Sequence, residues 1–233
     1  MDIRILELLE GARQARGLTV IIDVFRAFST ACYVMDRGAE RILPVGEIEE
    51  AYRLKAEHPD WVLIGERGGV VQPGFDFGNS PTQVLKADLG GKTVVHTTSA
   101  GTQGIVSATS ADEIITGSFV NAGAIVRYIR MRNPDVVSLV AMGLGGKSPA
   151  DEDRLCASFL RNALIGEPND FPAIVQYMKH GSRTGSFLDL EQEASAPKED
   201  FDLCMQLDRF HFVLKAVPWK GTQMCFERID IGP

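Results

Sequence analysis

Six short apolar runs, each closed by turn residues, recur within the first 142 residues and constrain the fold of this chain more than any other feature. They are Leu18 to Asp23, Arg41 to Val45, Trp61 to Gly65, Lys92 to Thr97, Glu113 to Gly117 and Val136 to Met142. Short apolar runs bounded by turn residues suit buried strands. Helical patterns lie between most of them, with apolar residues three and four apart. Ile48, Ala51 and Tyr52 mark one; Phe119, Ala122, Ile125 and Ile129 mark another, with Ser118 as its expected N-cap. Such alternation implies βαβ crossovers. The expected fold is therefore α/β, a three-layer α/β/α arrangement around a largely parallel or mixed sheet.

The spacing carries a second pattern. Residues 18–66 read strand, turn, helix, strand, helix, strand, and residues 92–143 read the same, as two tandem βαβαβ-type repeats would. Between them lies GERGGVVQPGFDFGNSP, a glycine-rich segment of the kind that is usually functional when it interrupts a compact domain. The chain is read as one α/β domain over residues 1–233, with a helical and mixed C-terminal extension over 165–233. In that extension helices are expected at Asp170 to Lys179 and Phe201 to Leu214, and loops at GSRTGS and QEASAPKED.

Composition excludes several function classes. Asp plus Glu exceed Lys plus Arg by 31 to 24, a net charge of -7, with no basic run to attract nucleic acid. The four cysteines (Cys32, Cys156, Cys204, Cys225) form no CxxC pair, which argues against zinc ribbons and dithiol chemistry. The first residues lack a signal-peptide pattern, and no apolar stretch approaches the roughly 20 residues that span a bilayer, so a cytoplasmic location is expected.

Chemistry-bearing residues gather where the apolar runs end, the place where α/β sheets bind ligands. The first run enters Asp23-Val-Phe-Arg26 and the third enters Gly65-Glu66-Arg67-Gly68-Gly69. The fourth enters Thr97-Thr98-Ser99-Ala100-Gly101-Thr102, and the sixth is followed by glycines and then Asp151-Glu152-Asp153. The threonine segment suits a phosphate cradle, with hydroxyls and backbone N–H groups before a helix; equally, its hydroxyls can simply cap that helix. Asp23 suits a hard cation or a nucleophile, or a helix cap. Arg26 and Arg67 offer planar forks for phosphate or sulfonate, or surface ion pairs. Glu66, Asp76 and Asp153 are candidates to join Asp23 around Mg²⁺. Other patterns fall short. Cys156 and Arg161 are one residue too close for a CxxxxxR loop, no Walker lysine follows the threonines, and Asp23-Val-Phe lacks the second acid of a DxD motif.

These segments resemble one family, the 2-phosphosulfolactate phosphatases, known as the ComB family. The stretches are VIIDVFRAFSTA (20–31), GERGG (65–69), PGFDFGNSP (73–81), TTSAGT (97–102), SFVNAGA (118–124), EDRLCA (152–157), DLCMQLD (202–208) and Val217-Pro218. The resemblance implies an Mg²⁺-dependent phosphatase that converts 2-phosphosulfolactate to sulfolactate and phosphate, a step tied to coenzyme M synthesis or sulfolactate production. It implies catalytic roles for Asp23, Arg26, Glu66, Arg67 and Asp153, and metal binding by Asp23, Glu66, Asp76, Glu152 and Asp153. Substrate contacts would come from Arg26, Arg67, Asn79, Ser80, Thr97, Thr98, Ser99, Gly101 and Thr102. The expected partner is a small anionic phosphorylated substrate, with neither nucleic acid nor membrane, and assembly as a homodimer stays open. Metal-assisted water attack is the expected mechanism. A covalent phosphoaspartate, another small phosphorylated acid as substrate, and a non-catalytic binder of such a metabolite are the alternatives.

Overall fold

Strands β2 (Leu18–Ile22) and β5 (Thr93–Thr97) are buried at every position; β2 is apolar apart from Thr19, while β5 buries Thr93, His96 and Thr97 beside its two valines. A computed structural model describes residues 1–180 and 197–232. The chain opens with β1 (Asp2–Glu7) and α1 (Leu8–Gln14), then β2, α2 (Ala27–Asp36), β3 (Arg41–Pro44), α3 (Ile48–Glu57) and β4 (Val62–Gly65). After the glycine-rich segment come α4 (Pro81–Val84), β5, α5 (Gly101–Ser107) and β6 (Glu113–Gly117). A 3₁₀ turn at Phe119–Asn121 leads into α6 (Ala122–Arg132), β7 (Val136–Ala141), α7 (Asp151–Ile165) and α8 (Phe171–His180). The described part closes with α9 (Glu199–Cys204), β8 (Phe212–Pro218) and β9 (Met224–Asp230).

The strands form one nine-stranded sheet in the order β1-β7-β2-β6-β8-β9-β3-β5-β4. It has two parallel wings, β1-β7-β2-β6 and β3-β5-β4. The antiparallel hairpin β8–β9 joins them, pairing Ile114 with Ala216 on one side and Ile42 with Phe226 on the other. Three successive antiparallel pairings reverse the strand sense, so the wings run in opposite directions. The α/β expectation, with a mixed and mostly parallel sheet, holds.

The two βαβαβ segments interlock. β2 lies between β6 and β7 of the other segment, and β5 lies between β3 and β4. Helices α2 and α5 are therefore the crossovers between wings. Both pack into a core that takes Ile21 and Val140 from one wing, Ile42, Ile64 and Val94 from the other, and Phe212, Leu214 and Phe226 from the hairpin. On the opposite face, α6, α7, α8 and α9 cover the first wing and α3 covers the second. Helices on both faces make the three layers.

Two expectations need correction. The helix expected over Phe201 to Leu214 stops at Cys204, and Asp208 turns the chain with a left-handed φ of 54°. From Phe210 the period changes to two: Phe210, Phe212, Leu214 and Ala216 face the shared core while Val213 faces the other side. Ser118 also does not cap with its side chain; its hydroxyl pairs with the Ser29 hydroxyl at 2.6 Å, and Asn121 precedes α6. The helix expected at Asp170 to Lys179 is α8. The expected GSRTGS loop, and most of QEASAPKED, lie outside the described residues.

Because the hairpin ties the wings, Phe226→Ala is expected to weaken the whole molecule. Phe226 is 2% exposed and meets Phe28 edge-on at 6.1 Å. The expected loss is about 3–5 kcal/mol, seen as one cooperative denaturant transition at lower midpoint. Separate transitions for the two wings would contradict this linkage.

Candidate functional site

The turn after β2 and the turn after β5 start the two crossover helices, and they touch. A Cβ on Gly101 would lie 2.8 Å from both the Ala27 Cβ and an Asp23 carboxylate oxygen, so any side chain at this position would block the approach. Beside this contact opens a cavity of about 250 Å³. Asp23, Phe25, Arg26, Glu66 and Glu152 line it, with Asn79, Ser99 and Ala100. Glycine-bearing loops complete it: Gly68 and Gly69 after β4, and Gly143 to Gly145 after β7. Four strand ends thus supply one site.

The carboxylates divide into two kinds. Asp23 accepts the Ala27 N–H at 3.1 Å, so it does bond the start of α2 as the capping reading holds, yet it also lines the cavity. Burial, with repulsion from Glu66, pushes its carboxyl up to about 6. Glu152, in the first turn of α7, is 6% exposed and also lines the cavity. Glu66 uses both oxygens on the scaffold. It accepts the Ser99 N–H at 2.7 Å, the Ser99 hydroxyl at 2.9 Å and the Gly69 N–H at 2.7 Å, locking the two loops together.

Asp153 lies behind the cavity. Its oxygens accept the Val24 and Gly143 N–H groups, both at 2.8 Å, and clamp the turns after β2 and β7 to α7. Burial and the nearby Asp23 and Glu152 carboxylates raise its pKa well above the usual carboxylate range. Asp76 is not brought to the cavity: it accepts Lys55 at 2.9 Å and the Leu63 N–H at 2.7 Å.

The cationic and hydroxyl candidates divide likewise. Arg26 lines the cavity and donates to Asp200 at 2.7 Å. Arg67 does not line it; its guanidinium donates to the Glu66 and Gly46 carbonyls and to the Thr97 hydroxyl. Thr98 and Thr102 cap each other, each hydroxyl accepting the other's backbone N–H at 3.1 and 2.8 Å. The threonine hydroxyls thus brace the turn, while Ser99 and Ala100 face the cavity. Ser80 caps α4 and donates to Asp200 at 2.9 Å. Asn79 lines the cavity with its Oδ1 held 3.2 Å from the His96 Nε2.

Sequence reasoning missed Asp200 and His96 as parts of this site. Asp200 ends the stretch QEASAPKED, expected as a loop, and His96 lies inside the expected strand Lys92 to Thr97, where it is buried at 0% exposure. Neither carries a local signal, since their partners lie 174 and 17 residues away in sequence.

Among the described residues, no group of three or more His, Cys, Asp or Glu side chains is arranged to encage a metal ion. The donor set fits a hydrated hard cation instead, because Mg²⁺ keeps several waters and takes one or two carboxylates, which Asp23 and Glu152 offer on one cavity. Burial raises the Cys32, Cys156 and Cys204 thiols, which disfavours thiolate chemistry. A larger cleft of about 710 Å³ lies by Trp61 and Trp219. Arg53 there is paired with Glu50 and Glu57, and none of Asp23, Arg26, Asn79 and Glu152 lines it.

The family model described as 2-phosphosulpholactate phosphatase matches residues 3–217. This chain belongs to the 2-phosphosulpholactate phosphatase family. The family is one of phosphoric monoester hydrolases. A probable 2-phosphosulfolactate phosphatase of Thermoplasma acidophilum is 32% identical over 206 residues, 88% of this chain and 89% of the relative. The corresponding Bacillus subtilis protein is 30% identical over 217 residues, 92% of each. A Carboxydothermus hydrogenoformans relative reaches 44% over 118 residues, 51% of this chain and 49% of its own. No helix among the described residues is long and apolar enough to cross a membrane.

One prediction follows from His96. Burial, aided by Arg67, lowers its pKa to about 3, while an unfolded chain takes up that proton near pH 6.5. Stability therefore falls as pH drops below about 6.5 and keeps falling towards 3, by up to about 1.4 kcal/mol per pH unit from this group. His96→Gln should flatten that part of the curve relative to the unsubstituted protein. Parallel stability–pH curves would contradict the buried neutral imidazole.

Proposed function

We propose that this chain is a Mg²⁺-dependent phosphatase that hydrolyses 2-phosphosulfolactate to sulfolactate and phosphate by direct attack of water on phosphorus. The observation that carries this reading is the joint presence of Arg26, Asn79, Asp23 and Glu152 on one small cavity. The family supplies the substrate class, since the relatives' names specify 2-phosphosulfolactate.

The residues divide the work by position. Arg26 offers guanidinium hydrogen bonds to phosphoryl or sulfonate oxygens, which spread charge as the transition state forms. Asn79 adds a neutral polar contact, and the Gly68–Gly69 and Gly143–Gly145 turns let backbone approach a multiply charged ligand closely. Phe25 and Leu144 give the cavity its large apolar side chains. Asp23 and Glu152 would hold Mg²⁺, and Mg²⁺ supplies charge neutralisation and a more acidic water when bound. Positioning and electrostatics are what phosphoryl transfer chiefly needs, and these residues provide both. The new bond joins water oxygen to phosphorus, the ester P–O bond breaks, and the alkoxide leaves to be protonated as sulfolactate.

The test is phosphate release from 2-phosphosulfolactate with Mg²⁺ titrated. Activity should vanish with chelator and return with Mg²⁺, and no acyl-phosphate should be trapped on Asp23. Asp23→Asn should abolish turnover while thermal stability changes little, because Asn accepts the Ala27 N–H about as well as Asp. Arg26→Lys should lose roughly 10²-fold in kcat. Full activity in Asp23→Asn, or a trapped acyl-phosphate, would refute the mechanism.

A further inference from the structure

Arg26 is the residue that precedes α2, where a long side chain beside a cavity can adopt many rotamers. In this protein it is held from behind. Its Nη1 donates to the Asp200 Oδ2 at 2.7 Å, and the two side chains are 7% and 0% exposed. Asp200 does not line the cavity. Its other oxygen accepts the Ser80 hydroxyl at 2.9 Å and the Thr82 N–H at 2.8 Å. One carboxylate from α9 therefore gathers the turn after β2, the start of α4 and the C-terminal segment.

We propose that Asp200 is a positioning residue: it fixes the plane of the Arg26 guanidinium so that the fork meets an anion in the cavity without reorganising. This rests on reading the cavity as the anion site. Geometry supports a directed role over simple neutralisation. A planar fork binds an oxyanion well only in a set orientation, and Asp200 is itself fixed by two donors from a different part of the chain. The carboxylate is also fully desolvated, so its bond to Arg26 is not exchanged for water. Charge placed here strengthens a preset geometry and couples the C-terminal segment to the site.

A double-substitution cycle with Arg26→Gln tests the idea. Titration calorimetry with inorganic phosphate, in the presence of Mg²⁺, gives affinities for the unsubstituted protein, Asp200→Asn, Arg26→Gln and the pair. Thermal midpoints measured alongside show which variants are folded. Asp200→Asn should weaken phosphate binding at least tenfold in the native background, and by less than twofold once Arg26 is already Gln. Asp200→Glu keeps the charge but shifts the carboxylate by one methylene; it serves if Asp200→Asn does not fold, and should show the same coupling. Equal losses in both backgrounds would mean a purely structural role and overturn the proposal. So would unchanged affinity in a folded Asp200 variant. A protein that shows the coupling with phosphate yet does not hydrolyse 2-phosphosulfolactate would leave Asp200 in its role and remove only the substrate reading.

Discussion

The close approach of Gly101 to Asp23 and Ala27 is the contact on which the site depends. The two parallel wings run in opposite directions, and a flat sheet of that kind would leave their carboxyl ends apart. Here the crossover helices α2 and α5 share one core, and their first turns meet where Gly101 carries no side chain. The general rule that ligands bind beyond the carboxyl ends of parallel strands is thus met by ends from two wings at once. The β8–β9 hairpin sets the distance between those wings.

Acidic residues around the cavity do different jobs according to how their oxygens are used. Glu66 and Asp153 each accept a backbone N–H on both oxygens and serve to pin loops. Asp200 neutralises and orients a buried arginine. Asp23 and Glu152 line the cavity beside Arg26. The same economy applies to the threonines and Arg67, whose hydrogen bonds brace the turns that carry Ser99 and the glycines. Buried polar groups that are fully partnered rigidify a site, which is the condition for preorganised electrostatics.

Much of this was legible in the sequence, for physical reasons. Six strands announced themselves because parallel strands covered on both faces carry short apolar stretches bounded by turn residues. The end of β2 was legible as a site because Asp23 and Arg26 follow an apolar run directly. The edge strand β1 was not, since it is largely exposed and carries Arg and Glu among its apolar residues. The hairpin was hidden because the helical period of α9 runs towards a strand whose alternation starts within ten residues. Which candidate faces the cavity could not be read locally either. Thr97 and Ser99 look alike in TTSAGT, and what separates them is a partner, Arg67, thirty residues away. Long-range partners decided the roles of Asp153, Asp200 and His96 in the same way.

The central claim is that a small phosphoryl anion binds where the two wings meet. Crystals grown with Mg²⁺ and soaked in tungstate, a heavy phosphate mimic, would test it by anomalous scattering. The account predicts a peak in the cavity within hydrogen-bonding distance of Arg26, on the same side as Asp23 and Glu152. Tungstate bound instead in the cleft beside Trp61 and Trp219, with the cavity empty at saturating concentration, would contradict it.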